Sequence, residues 1–578
     1  MARFRKNAAQ IFYTDAFAGL DVTEGEKNSF SSSAYMKNFR VTEKRALKKR
    51  CGYKKLADGI VCDSCFKADI KGEEYFIYKN GSMMRALRFS DMKTYEFDAG
   101  DGARPGYFTF GGVLYAVGGG ICVKFDGDGF SFAEPYIPTV AITCSPSGAG
   151  TSNESMNILS NKAKISYSPD GQSTEYILPS AASGVVSVED GDETVPGSAY
   201  TYDPAAHKLT FTSAPAGGVP DSLTVVFTIS DGIMLNMPYI GNRFTIYGGD
   251  RDTRVFAYGN KNVIYYSDVG YNGAEPLYFP ADNFITVGDG CDVTALIRHY
   301  DRLMIFTTRE TWFITMTNVT VNGVTKPAFP LSPLNSVVGC AGGGAVYADN
   351  SPVSLSNDGI YVFSQSTVRD ERNARRISDR VSSYLTPSFL KYAQVYDNER
   401  GKEIWMCFDG TALIYNYGIN VFYCYDKINA GYLFGVNGRA AFYSGGAIYV
   451  FDESCTTDDG EPIEAIAESG TVVLDRTVKK RRLKRICASY LIADGAVTVS
   501  AVPDRGNVCS AEFTGSGSSG FDFGGLDFGH LGFECSDKVI HDERRAQLSS
   551  FESLKMRIEC RGDGDVSVSS VTFIIDGA

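Results

Sequence analysis

Residues that can do acid-base or nucleophilic chemistry occur in this chain, but their spacing completes no catalytic motif. The four histidines are His207, His299, His530 and His541, and none lies beside a recognisable serine or cysteine nucleophile motif. Histidine is the residue that such catalysis recruits most often. The paired carboxylates of a glycosidase stay open as an alternative, because their separation is set in three dimensions. We expect no enzymatic activity and no catalytic residues.

Two patterns resemble metal-ligand spacings without completing a ligand set. Cys62 and Cys65 form a C-x-x-C pair, but no second cysteine pair or nearby histidine pair completes a zinc site. Asp126 and Asp128 in FDGDGF resemble the start of a calcium loop, but the further oxygen ligands and the distal glutamate are missing. We expect buried free thiols and a turn, with a weak surface cation site as the alternative to the turn. No bound metal is expected.

Two glycine-containing patterns resemble binding motifs. Residues 515–520, GSGSSG, match G-x-G-x-x-G, but a dinucleotide site needs a strand before and a helix after, and FDFGGLDFG follows instead. Residues 168–174, SPDGQST, resemble the Asp-box of sialidase propellers, but the glycine falls one position early and no tryptophan follows. We expect a flexible loop and an Asp-Gly turn, and no cofactor.

Lysine and arginine are concentrated in two short segments. Residues 36–56 read MKNFRVTEKRALKKRCGYKKL, and residues 479–485 read KKRRLKR. Such clusters contact phosphates in some proteins and form a solvated or interface side of a strand in others. The net charge of the whole chain is −12, which argues against broad nucleic-acid affinity. We favour a surface or interface role for both segments.

Most of these residues must lie in β-hairpins, because a strand–turn–strand unit recurs through most of the chain. A short apolar and aromatic strand meets an Asn-Gly, Asp-Gly or Gly-Gly turn and a second strand runs back, as in EEYFIYKNGSMMRALRF and EIWMCFDGTALIYNY. Asn-Gly and Asp-Gly supply the positive φ angles of two-residue hairpin turns. Four-stranded groups recur about every 40–50 residues, the period of propeller blades. The sequence predicts an all-β fold with a β-propeller of about six blades.

Composition changes divide the chain into segments. A stretch rich in Ser, Ala and Pro with short strands predicts a β-sandwich inserted between two blades. Clear alternation of apolar and polar residues near the C-terminus predicts a second β-sandwich. The predicted segments are an N-terminal basic segment at 1–56, a first part of the propeller at 57–138, the inserted β-sandwich at 139–231, a second part of the propeller at 232–455, and the C-terminal β-sandwich at 456–578.

Helical and apolar patterns are rare. Ile377, Val381 and Leu385 recur every four residues, which predicts one short amphipathic helix. Nowhere do 18 apolar residues run together, so we expect no membrane span. The first residues, MARFRKNAAQ, lack the apolar stretch of a signal peptide. We therefore expect synthesis in the cytoplasm without a cleavable export signal.

Several segments resemble the tail nozzle, or tail stabilisation, proteins of short-tailed bacteriophages. Residues 35–56 are similar to the N-terminal signature of that family, N-x-R-V followed by L-x-K-R-x-G-Y. Residues 262–314, LSNDGIYVFSQ and ISDRVSSYL are similar to its propeller core. The signature positions are Asn38, Arg40, Val41, Leu47, Lys49, Arg50, Gly52 and Tyr53.

This resemblance implies a structural protein of the virion tail. Members of the family form rings or tubes, typically sixfold, that extend the DNA-ejection channel below the portal and adaptor proteins. Expected partners are further copies of the chain, the portal or adaptor protein, and tail fibre or tip proteins, while DNA passes without specific binding. Head-to-tail association uses two different surfaces of each subunit. The candidates for inter-subunit contacts are Arg40, Lys48, Lys49, Arg50, Lys479, Lys480, Arg481 and Arg482.

Two other functions remain alternatives. A carbohydrate-binding or glycan-cleaving propeller, acting as a tail adhesin, needs exposed aromatics and carboxylates in one pocket. The chain has only Trp312 and Trp405, both within strand-like runs, which weakens that alternative. The other alternative is a cytosolic scaffold that uses its propeller to bind proteins.

Overall fold

A computed structural model of the chain consists almost entirely of β-strands in two compact units. The described residues are 10–23, 29–229, 240–249, 251–270, 273–288, 290–321, 324–364, 373–474, 481–492, 495–515, 539–562 and 564–577. Among them, the middle unit comprises residues 62–339, and the terminal unit comprises residues up to 61 and from 340 onward.

The middle unit contains four antiparallel four-stranded sheets, which we call blades 1 to 4. The strands of blade 1 are Ser64–Ile70, Glu73–Asn80, Met83–Arg88 and Thr94–Asp98. Those of blade 2 are Gly106–Phe110, Val113–Gly118, Ile121–Phe125 and Phe130–Phe132. Those of blade 3 are Arg243–Tyr247, Arg254–Asn260, Val263–Tyr266 and Phe284–Thr286. Those of blade 4 are Val293–His299, Arg302–Thr307, Thr311–Thr315 and Leu331–Asn335.

The terminal unit contains three more blades, numbered 5 to 7. The strands of blade 5 are Ala345–Ala348, Ser351–Ser356, Gly359–Phe363 and Ala374–Arg376. Those of blade 6 are Gln394–Asn398, Glu403–Phe408, Thr411–Asn416 and Val421–Asp426. Those of blade 7 are Tyr432–Val436, Arg439–Ser444, Ala447–Phe451 and, from far earlier in the chain, Tyr53–Ala57. The predicted all-β propeller class is confirmed, and the described residues hold seven blades because Tyr53–Ala57 completes the last one.

Turn chemistry explains why the hairpins close where the sequence predicts. Asp409 and Gly410 have φ angles of 47° and 75°, and Asn437 and Gly438 have φ angles of 50° and 68°. Both central residues of a type I′ turn require positive φ, which glycine adopts freely and Asn or Asp tolerates. These dipeptides therefore join the paired strands of blades 6 and 7.

The insertion in the middle unit is a small β-sandwich with its own apolar core. One sheet has six strands in the order Thr151–Ser152, Thr139–Cys144, Lys162–Tyr167, Leu223–Ile229, Ala182–Asp190 and Glu193–Thr194. The other sheet has three strands in the order Glu175–Ile177, Lys208–Phe211 and Tyr200–Asp203, and a 3-10 turn lies at Gly197–Ala199. The insertion is thus a folded module that leaves blade 2 and returns to blade 3.

The C-terminal β-sandwich is built from both ends of the described chain. One sheet, which we call the composite sheet, runs in the order Phe39–Val41, Leu47–Lys49, Val566–Gly577, Arg481–Ile492 and Ile540–Ser549, and Gln10–Thr14 also pairs with Val566–Gly577. The second sheet runs in the order Gly19–Leu20, Ser32–Lys37, Ala465–Ser469, Ser553–Arg561, Ala496–Pro503 and Cys509–Thr514, and Val472–Val473 also pairs with Ser553–Arg561. Strands of the predicted N-terminal segment at 1–56 therefore pair with strands of the predicted C-terminal sandwich at 456–578.

Short two-stranded hairpins and helical turns complete the described residues. The hairpins pair Val269–Gly270 with Gly273–Ala274, Thr317–Val321 with Val324–Ala328, and Thr457–Asp458 with Glu461–Pro462. The α-helix Pro387–Tyr392 begins after Thr386, whose hydroxyl accepts from Phe389 N. Glu399–Gly401 is a 3-10 turn. Each described helix is too short or too polar to cross a bilayer.

The predicted amphipathic helix is not formed as an α-helix. Asp379–Tyr384 is a 3-10 segment, and Val381 within it has a non-helical φ of −126°. Val381 is nevertheless fully buried. A β-branched residue is a weak helix former, in line with the non-helical φ of Val381.

Candidate functional site

The composite sheet sorts the basic residues predicted from the sequence onto its two sides. Successive side chains of a strand point to opposite sides of its sheet. Arg40, Lys48 and Arg482 lie on the solvent side, at the alternate positions of their strands. Lys49 and Arg481 lie on the opposite side and are 2% and 1% exposed. Neighbouring residues of one charged run therefore have different roles.

The buried side satisfies its charges within the terminal unit. The Lys49 ammonium donates to the backbone oxygens of Gly562 at 2.6 Å and Gly564 at 3.3 Å. The Arg481 Nη1 donates to Gln10 Oε1 at 3.1 Å. These contacts correct the expectation that Lys49 and Arg481 contact other subunits, because their side chains are enclosed by their own chain.

Arg50, which directly follows a strand of the composite sheet, is the most enclosed of the predicted contact residues. Its guanidinium donates to both oxygens of Asp458, at 2.7 and 2.5 Å, and its Nε donates to Asn38 Oδ1 at 2.9 Å. The guanidinium also lies 5.4 Å from the ring centroid of Tyr425. A bidentate pair at 1% and 4% side-chain exposure is a structural ion pair, so Arg50 is likewise corrected as a contact residue.

Asn38 connects this ion pair to a blade. Its Oδ1 accepts from Asp426 N at 3.0 Å, and its Nδ2 donates to Asp426 Oδ1 and to the backbone oxygen of Glu464. Asp426 ends blade 6, whereas Glu464 directly precedes a strand of the sandwich. Asn38 has a φ of 58°, which asparagine tolerates better than most residues. One side chain thus joins the last strand of a blade to the sandwich.

Gly52 and Tyr53 complete the junction on the side of blade 7. A Cβ on Gly52 would lie 1.8 Å from the backbone oxygen of Thr457, so only glycine fits. The Tyr53 ring packs edge to face on three aromatic rings of blade 7 with centroids 5.1–5.5 Å apart: Phe442, Tyr449 and Phe451. We call the buried network of Asn38, Arg50, Asp426 and Asp458, together with Gly52 and Tyr53, the junction.

Burial and charge fix the protonation states in the junction. Burial opposes the charge on Arg50, but hydrogen bonds and attraction from Asp458 raise the pKa of the guanidinium above its usual value. Burial raises the pKa of the Cys51 thiol to about 12 and that of the Tyr53 phenol to about 12. Cys51 therefore stays a thiol and offers no nucleophile at neutral pH.

The solvent side of the composite sheet carries exposed ion pairs. Arg40 lies 2.8 Å from a Glu453 carboxylate oxygen, and Lys48 lies 3.0 Å from an Asp565 oxygen. The cations of these pairs are 24% and 27% exposed and the carboxylates 63% and 41%, so the pairs stabilise the fold by little and stay partly accessible to a partner. Two of the predicted contact residues lie outside the described residues: Lys479 and Lys480.

A second part of this side has an excess of positive charge. Arg485 pairs with Glu543 at 2.7 Å, whereas Arg482 and Arg545 have no carboxylate partner among the described residues. The strand Gln10–Thr14 lies on the other edge of Val566–Gly577, and its Ile11 and Tyr13 are 63% and 64% exposed. We call this surface the basic face and define it by Ile11, Tyr13, Arg482, Lys484, Arg485, Arg545 and Ile574.

A pocket of about 380 Å³ in the terminal unit tests the carbohydrate alternative. Its charged lining residues are Arg40, Arg400, Glu403, Arg439, Asp452 and Glu453. The Glu403 carboxylate accepts from Trp405 Nε1 at 2.9 Å, from Asn398 Nδ2 at 3.2 Å and from the Tyr423 hydroxyl. Asp452 pairs with Arg439 at 2.7 Å. Each of these carboxylates, like Glu453 on Arg40, is engaged by a donor or a cation.

The aromatic residues of this pocket are also enclosed. Trp405 is 3% exposed, and its ring packs on Tyr425 and Phe451 with centroids 5.5 and 4.8 Å apart. Sugar recognition uses aromatic faces that a ligand can reach. The pocket therefore offers a saccharide no open stacking surface, and Trp405 serves the packing of blades 6 and 7.

The structure brings together one polar group that the sequence did not suggest. His541 Nδ1 lies 2.7 Å from Ser489 Oγ, and the Ser570 hydroxyl donates to Ser489 Oγ at 2.7 Å. The three residues are cross-strand partners on the solvent side of the composite sheet. The Ser489–His541 contact is therefore a cross-strand hydrogen bond on an exposed sheet surface. Strand register was the missing signal.

The weaker motifs behave as turns. Asp126 Oδ1 accepts from the backbone nitrogens of Asp128 at 3.0 Å and Gly129 at 3.1 Å. Asp170 Oδ1 accepts from the backbone nitrogens of Gln172 and Ser173 at 2.9 and 2.7 Å. Within the described ranges, no group of three or more His, Cys, Asp or Glu side chains is placed to hold a metal ion. The glycine-rich stretch after Gly515 lies outside the described residues.

Comparisons with known proteins give distant structural similarity only. No protein-family model and no curated protein matches the chain. A YCF48 protein bound to a D1 peptide is 10% identical, with 70% of this chain and 97% of that chain covered and a TM-score of 0.35. An exo-β-1,3-galactanase from Phanerochaete chrysosporium with galactose is 8% identical, with 91% and 100% covered and a TM-score of 0.19. At these values the similarity assigns no function.

Proposed function

We propose that this chain is a structural subunit of a bacteriophage tail, forming a ring or tube that extends the DNA-ejection channel. The proposal starts from the resemblance of residues 35–56 to the signature of tail nozzle proteins. In this role the chain makes and breaks no bonds. It acts by holding its shape and by binding further copies of itself, the portal or adaptor protein, and fibre or tip proteins.

The observation that carries the proposal is the position of the signature residues. Asn38, Arg50, Gly52 and Tyr53 meet in the junction, and Lys49 is buried beside it. Each position requires its residue type for a physical reason: a φ of 58°, a bidentate ion pair, a missing Cβ or an aromatic contact. A signature made of such positions marks a shared fold, which supports extending the resemblance from short sequence segments to the whole fold.

The junction also suits a stiff wall. The segment before residue 58 supplies three strands to the composite sheet and the fourth strand of blade 7; the three are Gln10–Thr14, Phe39–Val41 and Leu47–Lys49. Strand pairing across several hundred residues removes free sheet edges and resists fraying. A subunit of an ejection channel needs this stiffness because the passing DNA exerts force on its walls.

The charge of the chain supports free passage of DNA. A net charge of −12 repels phosphates unless basic residues cluster on the channel surface. The buried cations, Arg50 of the junction and Lys49 beside it, are held by acceptors of their own chain, so they offer no phosphate contacts. DNA is therefore expected to pass without specific binding.

The test is the assembly state of the purified full chain. Mass photometry and negative-stain averages across protein concentrations are expected to show rings at multiples of 62.8 kDa, with six subunits by the resemblance. Mass spectrometry of virus particles purified from a culture in which this sequence is expressed is expected to detect the chain. Monomers under all conditions, combined with absence from particles, contradict the proposal, and glycan binding by such monomers favours the adhesin alternative.

A further inference from the structure

The basic face contains a charge arrangement that its own chain does not balance. Arg485 lies directly opposite Arg545 on the neighbouring strand, and both side chains are exposed. Like charges directly opposite each other destabilise a sheet. Glu543 neutralises Arg485, but Arg545 and the nearby Arg482 have no carboxylate partner among the described residues. An external anion would offset this repulsion.

The rest of the basic face indicates that the anion belongs to a protein. Ile11 pairs in register with Ile574, which in turn pairs with Arg485, so apolar and cationic side chains share one row across the sheet. Apolar side chains beside arginine suit a protein interface. Asp576 and Glu543 already pair with Lys484 and Arg485, which leaves two arginines of the face rather than the long row of cations that a phosphate backbone binds. A polypeptide with both carboxylates and an apolar side chain fits better than DNA.

The inserted domain of the same chain carries such a surface. Residues 139–229 contain nine carboxylates, three lysines and no arginine. Four of the carboxylates lie in the hairpin formed by Ala182–Asp190 and Glu193–Thr194, and none of the four has a cationic partner among the described residues. They are Glu189, Asp190, Asp192 and Glu193. We call this hairpin the acidic hairpin.

The acidic hairpin is also shaped to bind. Val186 is the additional residue of a β-bulge, between Val185 and Ser187, and is 47% exposed. Bulges redirect side chains at sheet edges. The backbone nitrogen of Gly191 at the tip donates to Ser222 O at 2.7 Å, which holds the turn in place. The hairpin therefore presents one apolar side chain and four carboxylates from an ordered support.

We propose that the basic face of one subunit binds the acidic hairpin of a neighbouring copy of the chain. This inference rests on the proposed function, because it names the two surfaces of its head-to-tail association. Arg482 and Arg545 pair with the hairpin carboxylates, and Ile11, Tyr13 and Ile574 receive Val186. Two different surfaces in one contact generate a ring when the rotation closes.

Charge reversal in the full chain tests the pairing. Arg482→Glu with Arg545→Glu, and separately Glu189→Lys with Asp192→Lys, are each expected to weaken self-association by about tenfold or more. Combining all four substitutions is expected to restore association, because the attraction is rebuilt with opposite signs. Arg561→Glu, an exposed arginine on the second sheet, is the matched control and should assemble as the wild type does. Unchanged melting temperatures show that every variant folds.

A photo-crosslinking residue at position 545 gives an independent readout. Mass spectrometry is expected to find crosslinks to peptides containing Val186 to Glu193 of another copy. Wild-type assembly with unaffected charge-reversal variants, or crosslinks elsewhere, overturns this inference and leaves the proposed function standing. Monomeric wild type without crosslinks overturns both. Binding of short duplex DNA that Arg482→Glu with Arg545→Glu abolishes identifies the basic face as a nucleic-acid surface and also overturns the inference.

Discussion

The two sides of the composite sheet contain the same residue types and do different work. On the buried side, Lys49 and Arg481 are enclosed by hydrogen-bond acceptors of their own unit, as is Arg50 after the strand end. On the solvent side, Lys48 and Arg482 face water. Breaking a buried pair leaves an uncompensated charge, whereas an exposed pair is screened by solvent. A basic run within a strand therefore contributes to two different surfaces at alternate positions.

The strongest test of this comparison is Arg50→Ala. The substitution leaves Asp458 as a buried, unpaired carboxylate and removes one of the two donors to Asn38 Oδ1, the other being Asp426 N. We expect it to lower the free energy of unfolding by about 3–5 kcal/mol. Urea denaturation followed by circular dichroism measures the loss. The matched control is Arg482→Ala, which should change stability by less than about 0.5 kcal/mol; equal losses would remove the distinction between the sides.

Gly52→Ala probes the junction without changing charge. The new methyl group meets the backbone oxygen of Thr457 at 1.8 Å, and backbone cannot move aside cheaply. We expect a loss of about 1–3 kcal/mol by overpacking, measured as a lower urea midpoint. Gly129→Ala is the control, because a Cβ there has open space and its φ is not positive. A neutral Gly52→Ala would show that the junction tolerates displacement of the Thr457–Asp458 hairpin.

Local and long-range features differ in how far the sequence predicts them. The turns at Asp409–Gly410 and Asn437–Gly438 follow from their own dipeptides, so hairpins, blades and the all-β class were predictable. The pairing of Tyr53–Ala57 with Ala447–Phe451 depends on contacts across several hundred residues, and no local pattern encodes it. The same distance separates Arg50 from Asp458.

The contact residues show the same limit at finer scale. Alternation within Leu47–Lys49 separates Lys48 from Lys49 once that segment is known to be a strand. Which side is covered depends on the opposite sheet of the sandwich, whose strands come from both chain ends. Charge density therefore predicted eight equivalent inter-subunit contact residues. Burial divides the described ones into an enclosed set, Lys49, Arg50 and Arg481, and a set that solvent reaches. The Ser489–His541 contact was missed for the same reason, since it requires register.

Two carboxylates of blades 6 and 7 and their edges, Asp397 and Asp452, differ in the same way and make stability depend on pH. Burial, reinforced by Glu399, raises the pKa of Asp397 to about 6, and its Oδ1 has no hydrogen-bond partner among the described residues. The backbone nitrogen of Ser454 and the ammonium of Lys54 lower the pKa of Asp452. One carboxylate thus lacks a cation, and the other has two, since Arg439 also lies 2.7 Å from it.

Asp397→Asn is expected to change the pH dependence of stability. The pKa of an unfolded aspartate is about 3.9, which is below the pKa of Asp397 in the fold. Protonated Asp397 therefore stabilises the fold, and this stability is lost as the pH rises from about 4 through about 6. The variant should melt higher than the wild type at pH 7 and show a smaller decline between pH 4 and 7. Asp452→Asn should do the opposite, with lower stability at pH 7 and convergence with the wild type in acid. Parallel profiles for the two variants would contradict these assignments.

The smallest expected effect comes from Lys48→Ala, and its neighbour makes it informative. The ion pair of Lys48 with Asp565 is 27% and 41% exposed at its two side chains, so its loss should cost about 0–1 kcal/mol and less at high salt. Lys49→Ala instead strips the donor from two carbonyl oxygens, those of Gly562 and Gly564, and should cost about 1–3 kcal/mol with little salt dependence. Urea titrations of both variants at low and high salt measure the difference. The two lysines are adjacent in one strand, so the substitutions are chemically matched. They differ in the side of the sheet to which the lysine points. Equal costs would mean that the buried side of this sheet is open to water.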